Sequence, residues 1–133
     1  NKAHQNKWME EVRNFKHSFL IKETQMSDEQ SKLFIPLYTE MEDKVYQANR
    51  NARQLEADLS REKDEVSDEQ YTAVAKALSD VTVIEGEIEK EYFKIFEKIL
   101  SPKQMFLLKR AENRFAVEML NHNKRSKAKQ GNE

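Results

Sequence analysis

No cysteine occurs among the 133 residues, and glycine and proline contribute only two residues each. Without a thiol there is no disulfide, no thiolate metal site and no cysteine nucleophile. So few turn-forming residues exclude β-sandwiches, barrels and doubly wound α/β sheets, which must reverse direction every dozen positions or so. They also leave few loops on which a catalytic site could be built. No apolar run approaches the ~20 residues of a membrane-spanning helix. The net charge of −1 supplies no overall field to gather nucleic acid or anionic lipid. The chain opens on Asn1 and not on Met, which a cleaved export signal and a shortened chain would each explain.

What is present is charge and apolar periodicity. Charged residues make up 35% and hydrophobic residues 38% of the chain, the balance of long, solvated helices with narrow apolar seams. One phrase, apolar-Ser-x-x-Gln, occurs three times: Met26-Ser27-Asp28-Glu29-Gln30, Val66-Ser67-Asp68-Glu69-Gln70 and Leu100-Ser101-Pro102-Lys103-Gln104. Each fits a helix start. Ser as N-cap accepts from the N–H three residues on, and Gln reaches back to the Ser N–H. The capping pairs Ser27/Gln30, Ser67/Gln70 and Ser101/Gln104 therefore predict an all-α chain of four helices near 3–24, 27–65, 67–99 and 101–121. These form a single helical domain over 1–121, followed by a frayed basic tail at 122–133.

The second helix carries Phe34, Tyr38, Met41, Val45, Ala48, Ala52, Leu55 and Leu59, and the third Tyr71, Val74, Leu78, Val81, Glu85, Ile88, Tyr92, Ile95 and Ile99. Both alternate in steps of three and four, the pattern of antiparallel helices packed at a shallow angle. Spans of roughly 58 and 50 Å, at ~1.5 Å per residue, predict a long central hairpin whose seam the outer helices or a second subunit covers. Pro36 predicts a kink or a short preliminary turn. Charge is partitioned. Residues 34–100 hold nine basic and sixteen acidic side chains, whereas residues 101–133 hold eight and three. That contrast favours contact between the acidic hairpin and the basic last helix, within one chain or between copies.

No constellation of catalytic, cofactor-binding or metal-ligating residues emerges. His4, His17 and His122 are scattered, and Glu118 with His122 would supply only two ligands. No Ser has a His in a nucleophile pattern, and no Gly-rich loop exists to hold phosphate. Glu85 reads as a buried acid, a register-setting polar residue or an edge position. Arg50, Arg53 and Arg61 read either as a solvated face or as a basic strip for an acidic or unfolded partner. The apolar surplus of Phe93, Phe96, Phe106 and Leu107 reads as core, dimer contact or a client patch.

The phrases at 26–30 and 100–104 resemble the periplasmic LTXXQ-motif family (Spy/CpxP-like), in which an apolar-Thr-x-x-Gln motif opens two helices. Here Ser stands for Thr in both copies and Met for Leu in the first. The similarity runs from about Phe15 to Leu120 and includes Leu33-Phe34-Ile35-Pro36-Leu37-Tyr38. The resemblance implies a mature periplasmic protein whose export signal has been removed, forming a cradle-like antiparallel homodimer. It implies binding of unfolded polypeptide without ATP, or of a sensor-kinase domain; the charge, hydropathy and motif readings above add the expectation of no cofactor, no nucleic acid and no membrane insertion. Two other readings stand beside this ATP-independent chaperone or envelope-stress adaptor. One is an accessory regulator of a membrane sensor of metal or stress. The other is a structural helical spacer, which requires Phe93, Phe96, Phe106 and Leu107 to be buried.

Overall fold

A computed structural model describes the backbone of residues 2–131 and the side chains of residues 6–125. Four helices follow one another: α1 (Lys2–Thr24), α2 (Asp28–Ser60), α3 (Asp68–Phe96) and α4 (Pro102–Gly131). They are organised as two compact units. One comprises the described residues up to Leu33 together with those from Glu97 onward, and the other is Phe34–Phe96.

Each of the last three helices starts where the sequence places a capping box. Ser27, Ser67 and Ser101 Oγ accept from the N–H of Gln30, Gln70 and Gln104 at 3.1, 3.2 and 3.1 Å. Each Gln Oε1 in return accepts from the Ser N–H at 3.0, 2.9 and 3.0 Å. Two orphan N–H donors at each of these helix starts are thereby satisfied. Asp28 and Glu29, and again Asp68 and Glu69, stand in the first turns, where the helix dipole favours negative charge.

The end of α1 closes differently. Gln25 adopts a φ of 58°, its N–H donates to Lys22 O, and the N–H of Met26 donates to Ile21 O, both at 3.2 Å. This pair of bonds is the Schellman closure, for which glycine is the usual left-handed residue. A glutamine there carries a Cβ strain that glycine would avoid.

Several boundaries depart from the sequence expectation. The second helix stops at Ser60 and not at 65. It has no basic residue in its last turn and runs into Glu62, Asp64 and Glu65, which the negative end of the dipole disfavours. Glu62 Oε1 also accepts from the N–H groups of Lys63 and Asp64 at 3.1 and 3.2 Å, giving the backbone a local alternative to the helix. Pro36 does not divide α2, which continues as one helix through it. The stretch from residue 122, expected to fray, is helical to Gly131, because Lys, Arg, Gln and Ala are good helix formers and no breaker occurs before that glycine. The side chains of residues 126–133 in that expected tail lie outside the described ones.

Within the first unit α1 packs antiparallel on α4. Phe15 and Phe19 each meet Phe115 at 5.9 Å between ring centroids, and His122 stacks on Phe15 at 5.2 Å. Leu20, Leu100, Met105, Leu108 and Ala111 form the buried core beneath them. Within the second unit α2 packs on α3 along the heptad seam. Phe34, Tyr38, Tyr92 and Phe96 make an aromatic cluster with centroids 4.7–6.1 Å apart. Burial is uneven along this seam. Phe34, Tyr38, Met41, Tyr92 and Phe96 are buried, but toward the 61–67 loop Val74, Leu78 and Val81 are only partly covered and Leu55 and Tyr71 are exposed.

Candidate functional site

The three capping boxes are alike locally and unlike in what else they do. Gln30 Nε2 donates to Gln104 Oε1 at 2.8 Å and to Ile99 O at 3.1 Å. Gln104 Nε2 donates to Gln30 Oε1 at 2.9 Å and to Gln25 O at 3.3 Å. Each Oε1 already accepts the Ser N–H of its own box, so each amide uses two donor and two acceptor positions, its full capacity. The two carbonyls that accept, Gln25 O and Ile99 O, stand two residues before Ser27 and Ser101. The arrangement is thus a reciprocal clasp between the starts of α2 and α4, each half a copy of the other. The third box, Ser67/Gln70, is exposed and makes the cap alone.

The arginines stand on α2 beside the half-open part of the seam, Arg53 at its edge and Arg50 on the side turned away from Ala52. Tyr46, Arg50 and Arg53 recur at four and three residues, so they share a helix face. They line a hollow of about 500 Å³ with Asn49 and Gln54. Arg53 is held in place by a relay. Its Nε donates to Asn49 Oδ1 at 2.7 Å, and Asn49 Nδ2 donates to Glu85 Oε1 at 2.8 Å. Glu85 is therefore a partly buried edge residue, positioned by the amide that crosses from α2. Among the described residues Arg50 makes no ion pair, and Arg53 bonds a neutral amide. Both guanidiniums stay available although the surrounding hairpin is acidic. Arg61 follows the last residue of α2 and is exposed; it does not line this hollow.

The apolar candidates divide. Phe96 is 2% exposed and Leu107 8%, so neither is a client patch on this chain. Phe96 belongs to the aromatic cluster, and Leu107 falls on the buried side of α4. Phe93 is partly buried. Phe106, by contrast, is 62% exposed, with the Arg110 guanidinium 5.7 Å from its ring centroid. The burial that a pure spacer requires of all four side chains is not met. Tyr46, Asn49 and Gln54 were not singled out from the sequence, although Tyr46 stands one helical turn before Arg50. The partnership of Gln30 with Gln104 has no local signal, since the two are 74 positions apart.

Among the described residues no three His, Asp or Glu side chains converge as metal ligands. Glu118 pairs with Arg125 at 3.5 Å while His122 lies against Phe15. No described helix is long and apolar enough to cross a membrane.

These observations define a class, an all-α protein of four helices with α1·α4 and α2·α3 packing, a glutamine clasp and an arginine-lined hollow. Comparison with protein-family models, curated proteins and solved structures returns no match.

Proposed function

We propose that this protein is a non-enzymatic, ATP-independent binder of unfolded or partner polypeptide, acting as a periplasmic chaperone or envelope-stress adaptor in the manner of the LTXXQ-motif proteins it resembles, and working as a homodimer. The observation that carries the reading is the pair Arg50 and Arg53, presented around Tyr46 on an exposed face of α2 without an acidic partner among the described residues, with Arg53 also reaching the edge of the half-closed seam. Guanidinium groups bind carboxylates and lie flat on aromatic rings, and Tyr46 adds apolar area with a polar tip. Such a surface suits segments that mix apolar and acidic residues, which a folded protein rarely exposes and an unfolded one does. The exposed Phe106 with Arg110 beside it is a second patch of the same chemistry.

The experiment is dilution of chemically unfolded, unrelated model proteins into buffer with and without this protein, in the absence of nucleotide. The expected result is suppressed light scattering at near-stoichiometric ratio, weakened in Arg50→Ala/Arg53→Ala. Aggregation that proceeds unchanged in its presence would overturn the proposal. The same outcome together with one tightly bound partner would favour the regulator of a membrane sensor.

A further inference from the structure

Two uncovered surfaces of this chain complement one another. The first is the half of the α2·α3 groove beyond the Asn49–Glu85 bond, toward the 61–67 loop. Its floor includes Ala52, Leu59, Val74 and Leu78, and the small side chains of Ala57 and Ser60 leave it open. Its far wall is acidic, made by Glu56, Glu62, Asp64 and Glu65. None of these four carboxylates forms an ion pair among the described residues.

The second surface is the outer face of α4. Phe106, Arg110, Val117, Leu120 and Lys124 follow at steps of four, seven, three and four, so they share one stripe. It lies opposite Leu108, Ala111 and Phe115, the side that packs in the first unit. Val117 is 58% and Leu120 61% exposed, an apolar stripe with no cover. Lys124 continues it with a positive charge.

Charge agrees between the two: with Val117 and Leu120 set on the apolar floor, Lys124 is the cation that continues the stripe toward the acidic wall. The charge partition has the same sense, since residues 34–100 carry an acidic excess and residues 101–133 a basic one. We infer that the open half of the α2·α3 groove in one copy receives Val117, Leu120 and Lys124 of α4 from a second copy. Two such contacts related by a two-fold axis close a dimer, whereas an unreciprocated one would extend into a chain. The inference rests on the pairing of copies proposed above and supplies its contact. It leaves the Tyr46 and Arg50 side of α2 to other polypeptide, while Arg53 stands at the border and lines both hollows.

The test is sedimentation equilibrium of the full chain over a wide concentration range, for wild type and four variants. Leu120→Glu, Glu65→Lys and Lys124→Glu replace exposed side chains, and circular dichroism checks that each keeps its helix. Wild type is expected to be dimeric, and each single substitution to raise the dissociation constant by about tenfold or more through lost apolar contact or like-charge repulsion. Glu65→Lys combined with Lys124→Glu is expected to recover most of the loss, because the two reversed charges again attract. A monomer at all concentrations, a dimer indifferent to Leu120→Glu, or a double variant no better than the singles would each overturn the inference. The scattering assay is read separately with Arg50→Ala alone, a residue that lines the α2 hollow and not the groove, so failure of this contact and failure of the client-binding reading are distinguishable.

Discussion

Replacing Gln30 by Ala and, separately, Gln70 by Ala compares two side chains that occupy the same position of the same local motif. Gln70→Ala removes one exposed bond, that from the Ser67 N–H. The group it strands can turn to water, so the loss is about 0.5 kcal/mol. Gln30→Ala removes the equivalent bond and three more that are partly buried, to Ile99 O, to Gln104 Oε1 and from Gln104 Nε2. At about 1 kcal/mol net for each, the expected loss is about 3 kcal/mol beyond that of Gln70→Ala. The helix-propensity change from Gln to Ala is common to both and cancels in the comparison. Two of the bonds are shared between Gln30 and Gln104, so the double variant Gln30→Ala/Gln104→Ala should fall short of the summed singles by about 1–2 kcal/mol. Urea unfolding followed by circular dichroism measures all four stabilities. Equal losses for Gln30→Ala and Gln70→Ala, or strict additivity of Gln30 with Gln104, would refute the clasp as a stabilising element.

Three smaller changes test the local readings. At Gly86, inside α3, an added Cβ would meet nothing within 4 Å; Gly86→Ala should therefore raise stability by about 1 kcal/mol, a gain of about 4 °C in melting temperature for a chain of this length. Thr24 Oγ1 is buried without a hydrogen-bond partner, so Thr24→Val, which keeps the shape and removes the stranded hydroxyl, should be neutral or stabilising by about 1 kcal/mol; a clear loss would show that the hydroxyl is satisfied in solution. Gln25→Gly should relieve the left-handed backbone at the end of α1 and stabilise by up to about 1 kcal/mol, and a lower denaturant midpoint would count against the strain argument.

The positions of the helices were largely legible. Capping depends on residues three apart, and Ser27/Gln30, Ser67/Gln70 and Ser101/Gln104 carry their whole mechanism in five letters each. Heptad spacing likewise pointed to the packed faces of α2 and α3, including Phe34, Tyr38 and Tyr92 of the aromatic cluster, but not to Phe96, which stood beside the expected seam. Helix ends were less legible, because stopping depends on weak competing terms. Glu62 drawing the N–H groups of Lys63 and Asp64 away from the helix is not visible in hydrophobic periodicity. The arginine pair was visible as composition, but its freedom from acidic partners was not, since sixteen acidic side chains surround it in sequence.

Sequence alone determined that the chain is helical, where three of its helices begin and which stripes are apolar, since each of these follows from interactions within one or two turns. Tertiary structure decided everything that depends on residues far apart. It joined Gln30 to Gln104, so that two of three Ser-x-x-Gln boxes became a clasp and the third remained a cap. It buried Phe96 and Leu107 while leaving Phe106 outside, although all three lie on amphipathic helices. It also left the seam open toward the 61–67 loop. The physical reason is the same in each case: burial and a crossing hydrogen bond depend on which neighbour arrives, and a helix's own periodicity does not name that neighbour.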